Sequence, residues 1–129
     1  MPLVRIEIEQ GFSKEYKKAL MDAVHEALVE CIRIPDHDRR QRLYELSPGN
    51  FEHSGRSHQY TIIEITMFKG RSAKAKKALF RSIVDRLMEN PSIPGNDITI
   101  IIHEPELENW GIRGGFPANE VDLGFDIKL

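Results

Sequence analysis

Between Val4 and Glu9 apolar and charged residues alternate: Val4, Ile6 and Ile8 against Arg5, Glu7 and Glu9. Period-two alternation predicts a strand with one buried face, starting at Leu3. Gly11 breaks it, and Ser13 is placed to cap a helix. Tyr16, Leu20, Ala23, Val24, Ala27, Leu28, Cys31 and Ile32 then recur at spacings of three and four, which makes one apolar stripe on that helix. Pro35 ends it, because proline has no amide hydrogen and its ring clashes with the preceding turn. Residues 40–46 can form a second strand, closed by the turn cluster Ser47-Pro48-Gly49-Asn50.

The order then recurs. Residues 61–68 (TIIEITMF) are β-branched and aromatic and predict a strand. Gly70 breaks it and Ser72 can cap a helix with Leu79, Phe80, Ile83, Val84, Leu87 and Met88 on its apolar face. Most of its basic residues, Lys74, Lys76, Lys77, Arg81 and Arg86, fall elsewhere and read as a solvated face. Asn90-Pro91 ends the helix, and residues 97–103 (DITIIIH) predict a fourth strand. The two first strands begin 58 residues apart, at Leu3 and Thr61, and the two caps 59 apart, at Ser13 and Ser72. Such agreement points to a duplicated βαβ unit, 3–47 and 60–103, within a single domain spanning 1–129. The fold class is α/β (α+β): a four-stranded mixed sheet with two helices on one face, each crossover right-handed and joining parallel strands. The other face of so apolar a sheet needs cover that one chain does not supply, so an oligomer is expected. Residues 104–129 form a glycine- and aromatic-rich arm, with short strands expected near 111–113 and 125–128, suited to wrap a neighbour or roof a pocket.

Composition narrows the function. The 129 residues are one domain's worth. With 18 Lys and Arg against 20 Asp and Glu there is no basic excess of the kind that general nucleic-acid binders carry. The single cysteine, Cys31, excludes an internal disulfide and a cysteine-built zinc site. His25, His37, His53, His58 and His103 form no metal-type pair with a carboxylate, so no metal is expected. No dinucleotide or phosphate-loop glycine pattern occurs, and no cofactor is expected. The chain has no apolar run near the roughly 18 residues that span a bilayer. It has no basic-then-apolar leader. A cytoplasmic protein with no membrane or nucleic-acid partner is the expectation.

Pro2 directly before a strand, together with a βαβ unit repeated at about 58 residues, resembles the tautomerase superfamily. Three segments resemble its malonate semialdehyde decarboxylase-like branch: Ile34-Pro35-Asp36-His37-Asp38-Arg39-Arg40-Gln41, Phe68-Lys69-Gly70-Arg71-Ser72 and Asn109-Trp110-Gly111-Ile112-Arg113-Gly114. The resemblance runs from Pro2 to about Phe125. It implies fused βαβ units assembled as a homotrimer, and catalysis by the N-terminal proline once methionine is removed. It places the branch's aspartate on Asp38 and its two closely spaced arginines on Lys69 and Arg71. The lysine departs from the pattern: it supplies charge without the planar fork that clamps a carboxylate.

Within a chain the proline nitrogen is an amide; at the mature terminus it is a secondary amine able to exchange a proton near neutrality. An apolar wall or a cation such as Arg71 favours the neutral amine, a general base; ionised Asp38 favours the ammonium, a general acid and electrostatic stabiliser. Arg71, beside a helix N-terminus, suits a substrate carboxylate. Lys69, Arg113 and the aromatic Trp110, Phe116 and Phe125 are candidates for the substrate pocket. The leading expectation is a cofactor-independent isomerase in which Pro2 is the base for a small enol or 2-keto acid. Decarboxylation of a 3-oxo acid by cationic Pro2 with Asp38 is the alternative, and a non-catalytic trimeric anion-binding protein is the competing class.

Overall fold

The computed structural model describes residues 1–128; Leu129, the end of the predicted arm, lies outside them. Strand β1 covers Leu3–Glu9, helix α1 Lys14–Ile32 and strand β2 Gln41–Leu46. Strand β3 (Thr61–Thr66), helix α2 (Ala73–Glu89) and strand β4 (Ile98–His103) repeat the order. Both helices start on the predicted serines. Ser13 Oγ accepts from the Tyr16 amide and Ser72 Oγ from the Ala75 amide, each at 3.1 Å. Each cap satisfies an amide that the first helical turn leaves without a partner.

The sheet order is β2-β1-β3-β4. β1 runs parallel to β2 and β3 parallel to β4, while the central β1–β3 pair is antiparallel. The predicted four-stranded mixed sheet is therefore two parallel pairs joined back to back. Its inner face carries the period-two set read from the sequence, Val4, Ile6 and Ile8, together with Ile63 and Ile65; all are buried, and Leu20, Val24, Leu28, Leu79, Ile83 and Leu87 of the helices pack on them. The outer face carries Arg5, Tyr44, Ile101 and His103, with Tyr44 and Ile101 among the exposed large apolar residues. No helix among the described residues is long and apolar enough to cross a membrane.

Two expectations are corrected. Phe80 and Met88 lie off the buried stripe of α2 and stay exposed, because Leu79, Ile83 and Leu87 already fill the space above the sheet. In the arm, β5 (Gly111–Ile112) pairs with β6 (Phe116–Pro117) through a tight turn at Arg113, Gly114 and Gly115, all at positive φ. Residues 125–128 form no strand. They join a second apolar cluster, built on Phe68, Trp110, Ile112 and Ala118, that caps one end of the sheet.

Candidate active site

Strand register brings the first site together. Val4 lies opposite Gln41, and the Val4 amide donates to the Arg40 carbonyl at 2.9 Å. Carried back along the parallel pair, that alignment sets Met1 against Asp38, and the terminal ammonium of Met1 contacts an Asp38 carboxylate oxygen. The other oxygen accepts from Arg40 Nη1. Asp38 is thus held between two cations, with its side chain 13% exposed. Pro2, one residue inward, is buried. The loop that delivers Asp38 is tied back to α1 by the buried His25, whose Nε2 lies 3.2 Å from Asp36 Oδ1, and by Arg39, which pairs with Asp22 at 2.9 Å.

Met1 and Asp38 open onto a cavity of about 680 Å³. One wall is the loop after α1, with His37, Arg39 and Arg40; the other is the arm, with Ile112, Arg113, Leu123 and Phe125; Phe68 closes it between them. Arg113 leaves its turn at φ 50° and donates from Nη1 to the Asp122 carbonyl at 2.6 Å, which ties the hairpin to the segment bearing Leu123 and Phe125. The Phe125 ring stacks on Phe68 with centroids 6.1 Å apart. The cavity therefore joins an amine–carboxylate pair, three arginines and apolar walls, a combination that suits a small organic anion.

The remaining predicted residues sit elsewhere. Trp110 is core: its ring meets the edge of Phe68 at 4.7 Å, and its indole donates to the Pro105 carbonyl at 3.3 Å. Phe116 is 58% exposed and outside the cavity lining. Lys69 pairs on the surface with Glu106 at 2.7 Å, and this partner holds its ammonium above the usual lysine range. Arg71 is 5% exposed and sits behind Phe68, donating from Nη1 to the Phe68 carbonyl at 3.1 Å. Its Nε and Nη2 are buried with no hydrogen-bond partner among the described residues. Burial pushes the guanidinium below its usual range, against the opposing pull of Glu104 and Asp126. The arm closes over this loop so tightly that a Cβ on Gly70 would stand 2.7 Å from the Ile127 carbonyl oxygen. Sequence reasoning passed over His37, Arg39 and Arg40 as site residues. The signal was their place beside Asp38 in one loop.

Two family models, both described as tautomerase enzyme, match residues 2–58 and 38–113. The second alone takes in more than half of the chain, so the two together span both βαβ units. The chain belongs to the tautomerase superfamily. Among solved structures it is similar to FG41 malonate semialdehyde decarboxylase inhibited by 3-bromopropiolate, at 34% identity and a TM-score of 0.77, over 88% of this chain and 89% of that one. Among curated proteins it is similar to the probable tautomerase YusQ of Bacillus subtilis, at 26% identity over 89% of this chain and 95% of that protein. A fused 4-OT symmetric trimer shares the fold at a TM-score of 0.80 and 22% identity, over 91% of this chain and 96% of that one. The βαβ duplication of this tautomerase-like chain supplies the scaffold. The cavity residues are where its chemistry is to be sought.

Proposed function

We propose that the chain, once Met1 is removed, is a cofactor-independent enzyme in which the secondary amine of Pro2 exchanges protons with a small carboxylate-bearing oxo or enol acid. The observation that carries this reading is the contact between the chain's terminal ammonium and Asp38 at the mouth of an arginine-lined cavity. Removing Met1 transfers the terminal nitrogen to Pro2, a displacement of at most about 3.6 Å along the chain. Arg113 and Arg40 offer charge to the substrate carboxylate from the two walls.

Of the two reactions expected, the geometry favours the one run by the ammonium. A neutral Pro2 is favoured by an apolar wall, which the cavity has in Phe68, Ile112, Leu123 and Phe125, and by nearby cations such as Arg71 and Lys69. Lys69 is engaged by Glu106 and Arg71 is outside the cavity lining, whereas the carboxylate of Asp38 contacts the terminal ammonium of Met1, one residue ahead of Pro2. An adjacent carboxylate favours the protonated amine. In that form Pro2 donates a hydrogen bond to the carbonyl of a 3-oxo acid. The bond to the carboxylate breaks, carbon dioxide leaves, and its electron pair passes to an enolate that the ammonium stabilises. The Pro2 ammonium gives its proton to the enolate carbon, which completes the product, and the amine regains a proton from solvent. The 34% identity to a malonate semialdehyde decarboxylase supports this reading. Tautomerisation by neutral Pro2 is the second reading, supported by the probable tautomerases among the relatives.

The assembly proposed is a homotrimer that covers the outer sheet face, supported by the exposed Tyr44 and Ile101 on it and by the trimeric fused 4-OT of the same fold. One experiment tests the amine. Mass spectrometry of untagged chain establishes the mature terminus, and the purified protein is assayed on 3-oxo acids and enol acids before and after one residue is added ahead of Pro2. Loss of activity on extension supports the proposal. Full activity of an extended chain overturns it in favour of a role that does not use the terminus.

A further inference from the structure

Helix α2 carries a second, separate concavity of about 850 Å³ on its outer side, between the helix and the turn at Gly95 and Asn96. Its floor is Phe80, Val84 and Met88, one stripe at i, i+4 and i+8, with Phe80 37% and Met88 51% exposed. Its rim is Lys74, Lys77 and Arg81, and no carboxylate lines it. Arg81 pairs along the helix with Asp85 at 2.9 Å, while Lys74 and Lys77 have no ion-pair partner among the described residues. Five of the chain's 18 Lys and Arg fall on α2 against two of its 20 Asp and Glu, so the positive charge is concentrated there in a chain of net charge −2.

An apolar floor flanked by unpaired cations calls for a partner with the opposite design. Phe80 and Met88 are eight residues apart, about 12 Å along the axis, which matches two turns of a second helix. A concave groove receives the ridge of a helix, whereas a bilayer surface is met by a convex face. We propose that this groove is a docking site for an acidic amphipathic helix of a partner protein. The helix presents apolar side chains at i, i+4 and i+7 to Phe80, Val84 and Met88, and carboxylates to Lys74 and Lys77. The site is remote from Pro2 and independent of the reaction proposed there.

The test uses the full chain and a displayed library of helical peptides with apolar residues held at i, i+4 and i+7 and all flanking positions randomised. The expected result is enrichment of Asp and Glu at the flanks. A synthetic peptide of the enriched sequence should lose roughly tenfold or more in affinity on the double variant Lys74→Glu/Lys77→Glu, as expected when complementary charges become like charges. Gly95→Leu is the second variant. Gly95 lies at ordinary φ and its Cβ would point at Met88 Sδ and Val84 Cγ1, 3.4 and 3.6 Å away, so the leucine plugs the groove and should also abolish binding. Thermal melts establish that both variants fold, and the surface lysine variant stands alone if the leucine does not. Flanks without acidic bias, or peptide binding untouched by the lysine variant, overturn the proposal. So does Lys74- and Lys77-dependent sedimentation with phosphatidylserine vesicles in place of peptide binding, or a fall in oligomer mass caused by Gly95→Leu.

Discussion

The Val4 amide donates to the Arg40 carbonyl, and the parallel pairing that this bond begins aligns the chain's terminus with Asp38. Residues 37 apart in sequence become neighbours because two strands share a register. Asp38→Asn keeps the shape and removes the charge. For the processed enzyme it should lower kcat by roughly 10²–10⁴, the usual weight of a positioned acid–base group. Nitrogen-15 NMR should follow the titration of Pro2, and Asp38→Asn, which removes the facing negative charge, should move it down. A Pro2 that titrates well below 7 would restore the general-base assignment and tautomerisation with it.

Pro2→Ala leaves a primary amine at the terminus and should retain part of the activity, whereas one residue added before Pro2 should leave none. Both variants should melt close to wild type, since the changes spare the strand pairing from Val4 onward. Steady-state kinetics and circular dichroism on the same preparations separate the two effects.

Among the described residues Arg71 is a buried cation with one hydrogen bond and two nitrogens without a hydrogen-bond partner. If those nitrogens take the substrate carboxylate, Arg71→Met should weaken carboxylate substrates by about 1.5–3 kcal/mol, the range for charged hydrogen bonds. The same variant should leave stability unchanged or higher, because it replaces a poorly satisfied buried charge by an apolar side chain. Denaturant midpoints and KM read the two quantities separately. Unchanged KM would confine Arg71 to a structural role.

Gly70→Ala tests the closure of the arm. At φ 144° an L side chain is strained, and its Cβ would meet the Ile127 carbonyl at 2.7 Å. The expected cost is about 1–3 kcal/mol of stability. Loosened contact of Phe125 with Phe68 should appear as increased quenching of the neighbouring Trp110 by acrylamide.

Asp97 gives a pH signature remote from the cavity. Hydrogen bonds from the Ser57 hydroxyl and amide hold its carboxyl below its ordinary value of 3.8. A folded-state value below the unfolded one means that stability is fully present above the unfolded value and is lost as pH falls through the folded one. Wild-type stability should therefore fall steeply below about pH 4, and Asp97→Asn should lack that part of the acid limb. Urea midpoints between pH 2.5 and 6 measure the difference.

Alternation from Val4 to Glu9, the β-branched run at 61–66, the two serine caps and the stripes of Leu20–Ile32 and Leu79–Leu87 were enough to determine two βαβ units and their sheet. These are local facts: period two and period 3.6 select the element, and a hydroxyl before a helix satisfies its first amides. Asp38, singled out through the resemblance of its segment, lies against the chain's terminus and lines the cavity. The tertiary structure decided which residues share a cavity. Arg71 and Trp110 went into the packed end of the sheet, Lys69 to a surface partner and Phe116 to solvent, while His37, Arg39 and Arg40 came to the wall beside Asp38. Phe80 and Met88 were left outside the core for the same kind of reason: a helix face about 100° wide buries only so many side chains on one sheet, and which ones is set by how the helix lies on it. Periodicity shows which side of an element is apolar. The path of the arm and the rotation of α2 depend on contacts between residues far apart in the chain, and no local pattern encodes them.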